Sequence, residues 1–155
     1  MQDEQHEPID RTGWQPGPWD KEPDRVEFKH RGLPCLITRN PMGHLCGYVA
    51  VPPGHALHGK DYEDSRVSTL PSHGGINYAD KCSGRICHVP APGEPDDVWW
   101  FGFDCAHGFD LSPMMTNLHM HPMPAGLSDL KFVYRDVPFV TKILRRLAAA
   151  LADVG

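Results

Sequence analysis

Val98-Trp99-Trp100-Phe101-Gly102-Phe103-Asp104-Cys105-Ala106-His107-Gly108-Phe109-Asp110 is an apolar run that ends in groups able to ionise, accept protons or bind metal. Glu94-Pro95-Asp96-Asp97 precedes it and Gly108 interrupts its far end. A continuous aromatic and β-branched segment with such boundaries reads as a central strand buried on both faces. The exit of that strand is where a site is expected.

Upstream of it the pattern is that of further strands. Val26-Glu27-Phe28-Lys29-His30 alternates, Arg31-Gly32 turns, Cys35-Leu36-Ile37-Thr38 is apolar, and Asn40-Pro41-Met42-Gly43 turns again before Leu45-Cys46-Gly47-Tyr48-Val49-Ala50-Val51. Connections this short favour an antiparallel meander. Arg66–Leu70 and Ile76–Ala79 are weaker strand candidates on either side of Ser72-His73-Gly74-Gly75. Downstream, residues 111–127 show no periodicity and read as a long loop rich in methionine. The C-terminus predicts one helix: Asp136 can cap it, Pro138 fits its first turn, and Phe139, Val140, Ile143, Leu144, Leu147 and Leu151 recur at helical spacing. Roughly 18 residues at about 1.5 Å each span about 27 Å, enough to cover one face of a small sheet.

The 155 residues predict one α+β domain over residues 25–155, preceded by an extended or disordered arm at residues 1–24. That arm holds four prolines, almost no aliphatics, and Trp14 and Trp19, which could pin it to the body. A net charge of −5 with 23% charged residues argues against a nucleic-acid surface. No apolar stretch reaches the roughly 18 residues that a membrane span needs, and the acidic start Met1-Gln2-Asp3-Glu4 lacks a secretory pattern, so a cytoplasmic protein is expected. Five cysteines without such a pattern point to thiols or metal ligands rather than a disulfide framework.

Four constellations could carry chemistry. Cys105-x-His107 and Cys82-x4-Cys87 together supply four N/S donors, the set of a closed structural zinc site. His73-Gly74-Gly75 with Asp104, His107 and Asp110 supplies imidazoles and carboxylates for acid–base work or a divalent metal, the glycines permitting a ligand to approach the backbone closely. Strand alternation would put Cys105 and His107 on one face and Asp104 on the other. The plain alternative is that these histidines and aspartates only satisfy loop backbone. Cys105 activated by His73 would be a nucleophile, although no local signature accompanies it. His119-Met120-His121 offers soft donors suited to copper or, more simply, a mobile apolar loop. No phosphate-binding loop, dinucleotide fingerprint, hydrolase elbow or His-Glu-x-x-His occurs.

Cys46-Gly47-Tyr48-Val49, Pro53-Gly54-His55, His73-Gly74-Gly75, Ile86-Cys87-His88-Val89-Pro90 and Gly102-Phe103-Asp104-Cys105-Ala106-His107, taken together, resemble a family of small bacteriophage and prophage proteins of unknown activity. The likeness spans roughly residues 25–110 and the terminal helix. Family members carry a small residue and Gly-Asp after the histidine, where this chain has Gly108-Phe109-Asp110. The resemblance implies expression in the host cytoplasm and names no reaction. Two functions follow as expectations. One is a phage-type accessory protein that binds a host protein or a small ligand, stabilised by zinc if the Cys/His set is filled. The other is a metal-assisted hydrolase or transferase using His73, Asp104, His107 and Asp110.

Overall fold

The computed structural model describes residues 8–116 and 132–155. Five antiparallel strands form one sheet: β1 (Arg25–His30), β2 (Leu33–Arg39), β3 (Leu45–Val51), β4 (Tyr78–Lys81) and β5 (Trp99–Asp104), in the order β1-β2-β3-β5-β4. The first three make the expected meander. Arg31 and Gly32 link β1 to β2 with φ of 53° and 78°, the positive-φ pair that lets a two-residue turn follow the twist of its strands. β5 pairs with β3 on one side (Val49 opposite Phe101) and β4 on the other (Ala79 opposite Phe101), so the aromatic run is an interior strand. Segment 66–70 is not a strand. Ser65–Ser68 instead forms a single helical turn, α1, because the Asp64 carboxylate accepts the Arg66 amide at its start and only Val67 needs burial.

Alternation along the strands sorts side chains between two cores. Cys35, Ile37, Val49, Phe101 and Phe103 face the C-terminal helix α2 (Val137–Val154), whose Val140, Leu144, Leu147, Ala148 and Leu151 are buried against them. Asp136 caps this helix by accepting the Phe139 amide at 2.9 Å. Gly47 sets how closely helix and sheet approach. A Cβ there would lie 2.9 Å from Phe103 and 3.0 Å from Leu144 and Val140, inside ordinary contact. On the opposite face Leu36, Tyr48, Ala50, Val98 and Trp100 make the second core. Cys82 and Cys87 beside it are joined as a disulfide, which corrects the expectation of thiols or metal ligands at these two positions; Cys35, Cys46 and Cys105 are buried free cysteines.

The described part of the N-terminal arm is bound to this body. Residues 8–24 contain only a 3₁₀ turn at Pro18–Lys21, yet Trp19 is buried and packs edge-on against Tyr134 with ring centroids 5.0 Å apart. Beneath it the Arg39 side chain, 0% exposed, donates to Asp24 Oδ1 at 2.9 Å, the Gly43 carbonyl at 2.8 Å, Tyr134 Oη at 2.8 Å and the Pro23 carbonyl at 3.0 Å. Glu22 accepts the Val137 amide at 2.7 Å, placing a carboxylate on the positive end of α2. Composition alone hides this, because the arm docks by one indole and two carboxylates rather than by aliphatics. No helix among the described residues is long and apolar enough to cross a membrane.

Two substitutions separate the contributions. Leu144→Ala empties a fully buried site against the sheet and should cost about 2–5 kcal/mol in denaturant unfolding. Arg39→Ala removes the buried guanidinium that Asp24 and Glu22 share, with Arg11 remaining on Asp24, and should cost about 1.5–3 kcal/mol. If the arm were only draped on the surface, the second variant would unfold like the wild type.

Candidate functional site

β5 ends at Asp104, and the next six residues fold back on its end. Asp104 Oδ1 accepts the Ala106 amide at 3.1 Å, which bends the chain out of the strand, and the Asp110 amide donates to the His107 carbonyl at 2.9 Å. Phe109 completes this turn at φ 69°, a conformation that costs a bulky residue strain, with its ring 57% exposed. The turn overrides strand alternation. Cys105 goes into the core beneath α2, whereas His107 returns to the Asp104 side, with Nε2 3.5 Å from Asp104 Oδ1. Asn77, next to β4, holds the other Asp104 oxygen through Nδ2 at 2.9 Å.

Asp110 is the centre of the arrangement. Its carboxylate is 1% exposed and accepts from Arg135 Nε at 2.8 Å, His73 Nε2 at 2.8 Å and the His107 amide at 3.0 Å. Burial by itself would raise the Asp110 pKa; the hydrogen bonds from Arg135, His73 and the His107 amide outweigh it and hold the carboxyl below its ordinary value. Arg135 reaches it because residues 110 and 133 form a parallel bridge just ahead of α2. Its guanidinium then lies over the Phe139 ring, 4.9 Å from the centroid.

His73 and His107 stand beside one another, ring centroids 5.5 Å apart and planes at 64°. Because an ionised Asp110 can only accept, His73 Nε2 is the donor in their contact, and Nδ1 of a neutral His73 is left with a lone pair. Gly74 makes the approach possible: it has φ 81°, and a Cβ on it would collide with the His107 imidazole. His107 Nε2 is buried there without a hydrogen bond. The side chains of His73 and His107 are 19% and 34% exposed, so both rings remain reachable from solvent.

All four residues expected to share a site, His73, Asp104, His107 and Asp110, are therefore brought together. The proposed zinc set is not. Cys82 is bonded to Cys87, Cys105 lies in the helix-side core, and among the described residues no three His, Cys, Asp or Glu side chains are grouped to hold an ion. Burial pushes the Cys105 thiol well above its ordinary pKa, with Cys46, Asp110 and Asp104 adding to the effect, which removes the thiolate a nucleophile needs. Cys35 and Cys46 are likewise pushed up to about 12 by burial. His55 donates from Nε2 to the Leu151 carbonyl of α2 at 2.7 Å while its Nδ1 accepts the Leu57 amide, so it ties a loop to the helix end. His119-Met120-His121 lies outside the described residues.

Arg135, Asn77 and His44 escape a reading of the sequence alone. His44 precedes β3, is buried, and contacts Ser112 Oγ through Nδ1 at 2.9 Å. Burial lowers its pKa, opposed by the nearby carboxylates of Asp104 and Asp110 and assisted by His107. Both His44 and Asp110 thus take up protons less readily when folded than when unfolded. Stability is therefore full above the unfolded pKa of each and falls as pH drops, first below about 6.5 for His44 and again below about 4 for Asp110. Urea unfolding at pH 7.5, 5.5 and 3.5 should show both declines, with the second reduced in Asp110→Asn. A curve flat from pH 7.5 to 3.5 would contradict both the burial of His44 and the hydrogen bonds that hold Asp110 ionised.

No protein-family model, no curated protein and no solved structure matches this chain.

Proposed function

We propose that the chain is a small phage-type accessory protein that works by binding, and that its ligand is a small molecule carrying an oxyanion, seated between His73 and His107. One observation carries the reading: two solvent-reachable imidazoles stand 5.5 Å apart, each beside a carboxylate that is itself held in place. Groups fixed at the end of a buried strand lose little freedom when a ligand binds, which favours affinity. The charges give the site its sign. With both imidazoles neutral, Asp104 and Asp110 exceed Arg135 by one charge; with both protonated the balance is one positive. An oxyanion is then met by charge-assisted N–H donors.

Hydrolysis or group transfer is the second reading, and the Asp110–His73 contact favours it. That contact fixes the tautomer which leaves His73 Nδ1 as a base, while the neighbouring His107 can donate a proton. A metal-assisted form has less support, because Asn77 and the Ala106 amide engage Asp104, and Arg135 and His73 engage Asp110.

Inorganic phosphate and acetate are suitable probes for the binding reading. Saturable shifts of the His73 and His107 imidazole resonances are expected with both probes at pH 6. His107→Ala should abolish them without lowering the melting temperature by more than about 4–8 °C, the equivalent of roughly 1 kcal/mol in a small domain. Linear, non-saturating shifts with both probes at pH 6 would rule the reading out.

A further inference from the structure

The face of the sheet away from α2 carries a cavity that the His73–His107 site does not use. After β4 the chain turns at Gly84-Arg85, where Ser83 and Ile86 exchange backbone hydrogen bonds of 3.0 and 2.9 Å. The Cys82–Cys87 disulfide closes that turn, with Cα atoms 4.6 Å apart. Arg25 of β1 donates to the Arg85 carbonyl at 2.7 Å and also to the Cys87 carbonyl. A covalent link and two charge-assisted hydrogen bonds thus fix the residues leading into His88. Its imidazole is held edge-to-face against Trp100 of β5, ring centroids 5.4 Å apart. Lys29 of β1 pairs with Glu94 at the rim. The space so framed is about 240 Å³, walled mainly by Pro34, Val89, Ala91, His88 and Trp100, with Glu27 and Lys29 beside it. A neighbouring lobe of about 160 Å³ shares Pro34, His88 and Glu94 with it.

Two residues of this wall each carry a polar atom without a partner. Trp100 Nε1 and His88 Nδ1 are both buried, and neither makes a hydrogen bond. Natural proteins pair such atoms almost without exception, and an indole N–H can only donate. Burial also lowers the His88 pKa, against the pull of Glu27 and Glu94 and with Lys29 and Arg25 assisting, so the ring is neutral at pH 7 and offers one donor and one acceptor nitrogen.

We propose that this cavity is a binding site for a small neutral nitrogen heterocycle of nucleobase size, whose polar edge pairs with Trp100 Nε1–H and His88 Nδ1. The volume is below the roughly 300–1,000 Å³ of sites that hold drug-sized ligands, so it suits one ring system and little more. Apolar and aromatic walls match a planar ring. The orphaned indole N–H requires an acceptor on that ring, and a neutral imidazole complements either a donor or an acceptor beside it. An anion finds little to hold it at a rim where Glu27 is already paired with Arg25 and Glu94 with Lys29. The site stands apart from the oxyanion reading and does not depend on it.

Adenine and uracil, added to the full-length oxidised protein, test the proposal through the tryptophan indole N–H resonances. The resonance that Trp100→Phe deletes should shift saturably with at least one of the two bases, and benzoate should leave it in place. Trp100→Phe and His88→Phe should each weaken binding by about tenfold or more, read by ligand-detected NMR. His107→Ala should leave it unchanged. Should Trp100→Phe fail to fold, the resonance is assigned by elimination from Phe variants of the other three tryptophans, and His88→Phe carries the affinity comparison. The proposal is overturned if neither base gives a saturable shift, if His88→Phe binds as the wild type does, or if a resident water cross-relaxes with the Trp100 N–H and neither base displaces it.

Discussion

The Asp110 carboxylate ties together parts of the chain that are far apart in sequence. Its two oxygens take Arg135 from the approach to α2, His73 from the glycine loop and the His107 amide from the turn after β5. A carboxylate 1% exposed is tolerable only with such partners, since burying an unpaired charge costs several kcal/mol. The constraint runs in both directions. Asp110 needs those donors to remain ionised, and the donors acquire their positions from it. The spacing of His73 and His107 is thus a consequence of solving one burial problem.

Arg39 is a second instance of the same solution. Its guanidinium is fully buried and is met by Asp24, two backbone carbonyls and Tyr134, while Glu22 lies 3.6 Å away and also engages the first turn of α2. A protein with 40% hydrophobic residues in a five-stranded sheet and one long helix has limited apolar area to hold its loops. Ionic junctions between irregular segments do that task here. Their geometry is demanding, which accounts for polar side chains concentrated where strands and the helix begin or end.

The elements readable from sequence were those governed by local physics. Periodicity and a capping aspartate marked α2, and an aromatic run with turn residues at its ends marked β5; each depends on residues close in the chain. Where a polar side chain could redirect the backbone the reading failed. Asp64 made a helical turn of a strand candidate, and Asp104 bent the chain so that His107 left the face of Cys105. Asp110 was legible as a candidate because it closes the run; Arg135 was not, since 25 residues separate the two and only the 110–133 bridge joins them. The Cys82–Cys87 pairing was missed for a different reason. Spacing of this length serves a metal pair and a hairpin disulfide equally well, and the two-residue turn at Gly84-Arg85 is what decides between them.

The two faces of β5 end in different chemistry, and the sheet explains why. On the helix side Phe101, Phe103 and Cys105 are buried against apolar residues of α2. Among the described residues the opposite side is covered by a disulfide-closed turn and a loop rather than a helix, and Trp100 and His88 are buried there with polar edges unpaired. Past the last strand pair the sheet no longer constrains the chain, and Asp104, His107 and Asp110 can gather around the glycine loop. A helix covers a sheet with side chains that need only close packing, whereas a loop brings backbone and polar groups that need individual partners. Both candidate sites therefore lie where loops close over β5, the first of them reaching α2 only through Phe139 at its start.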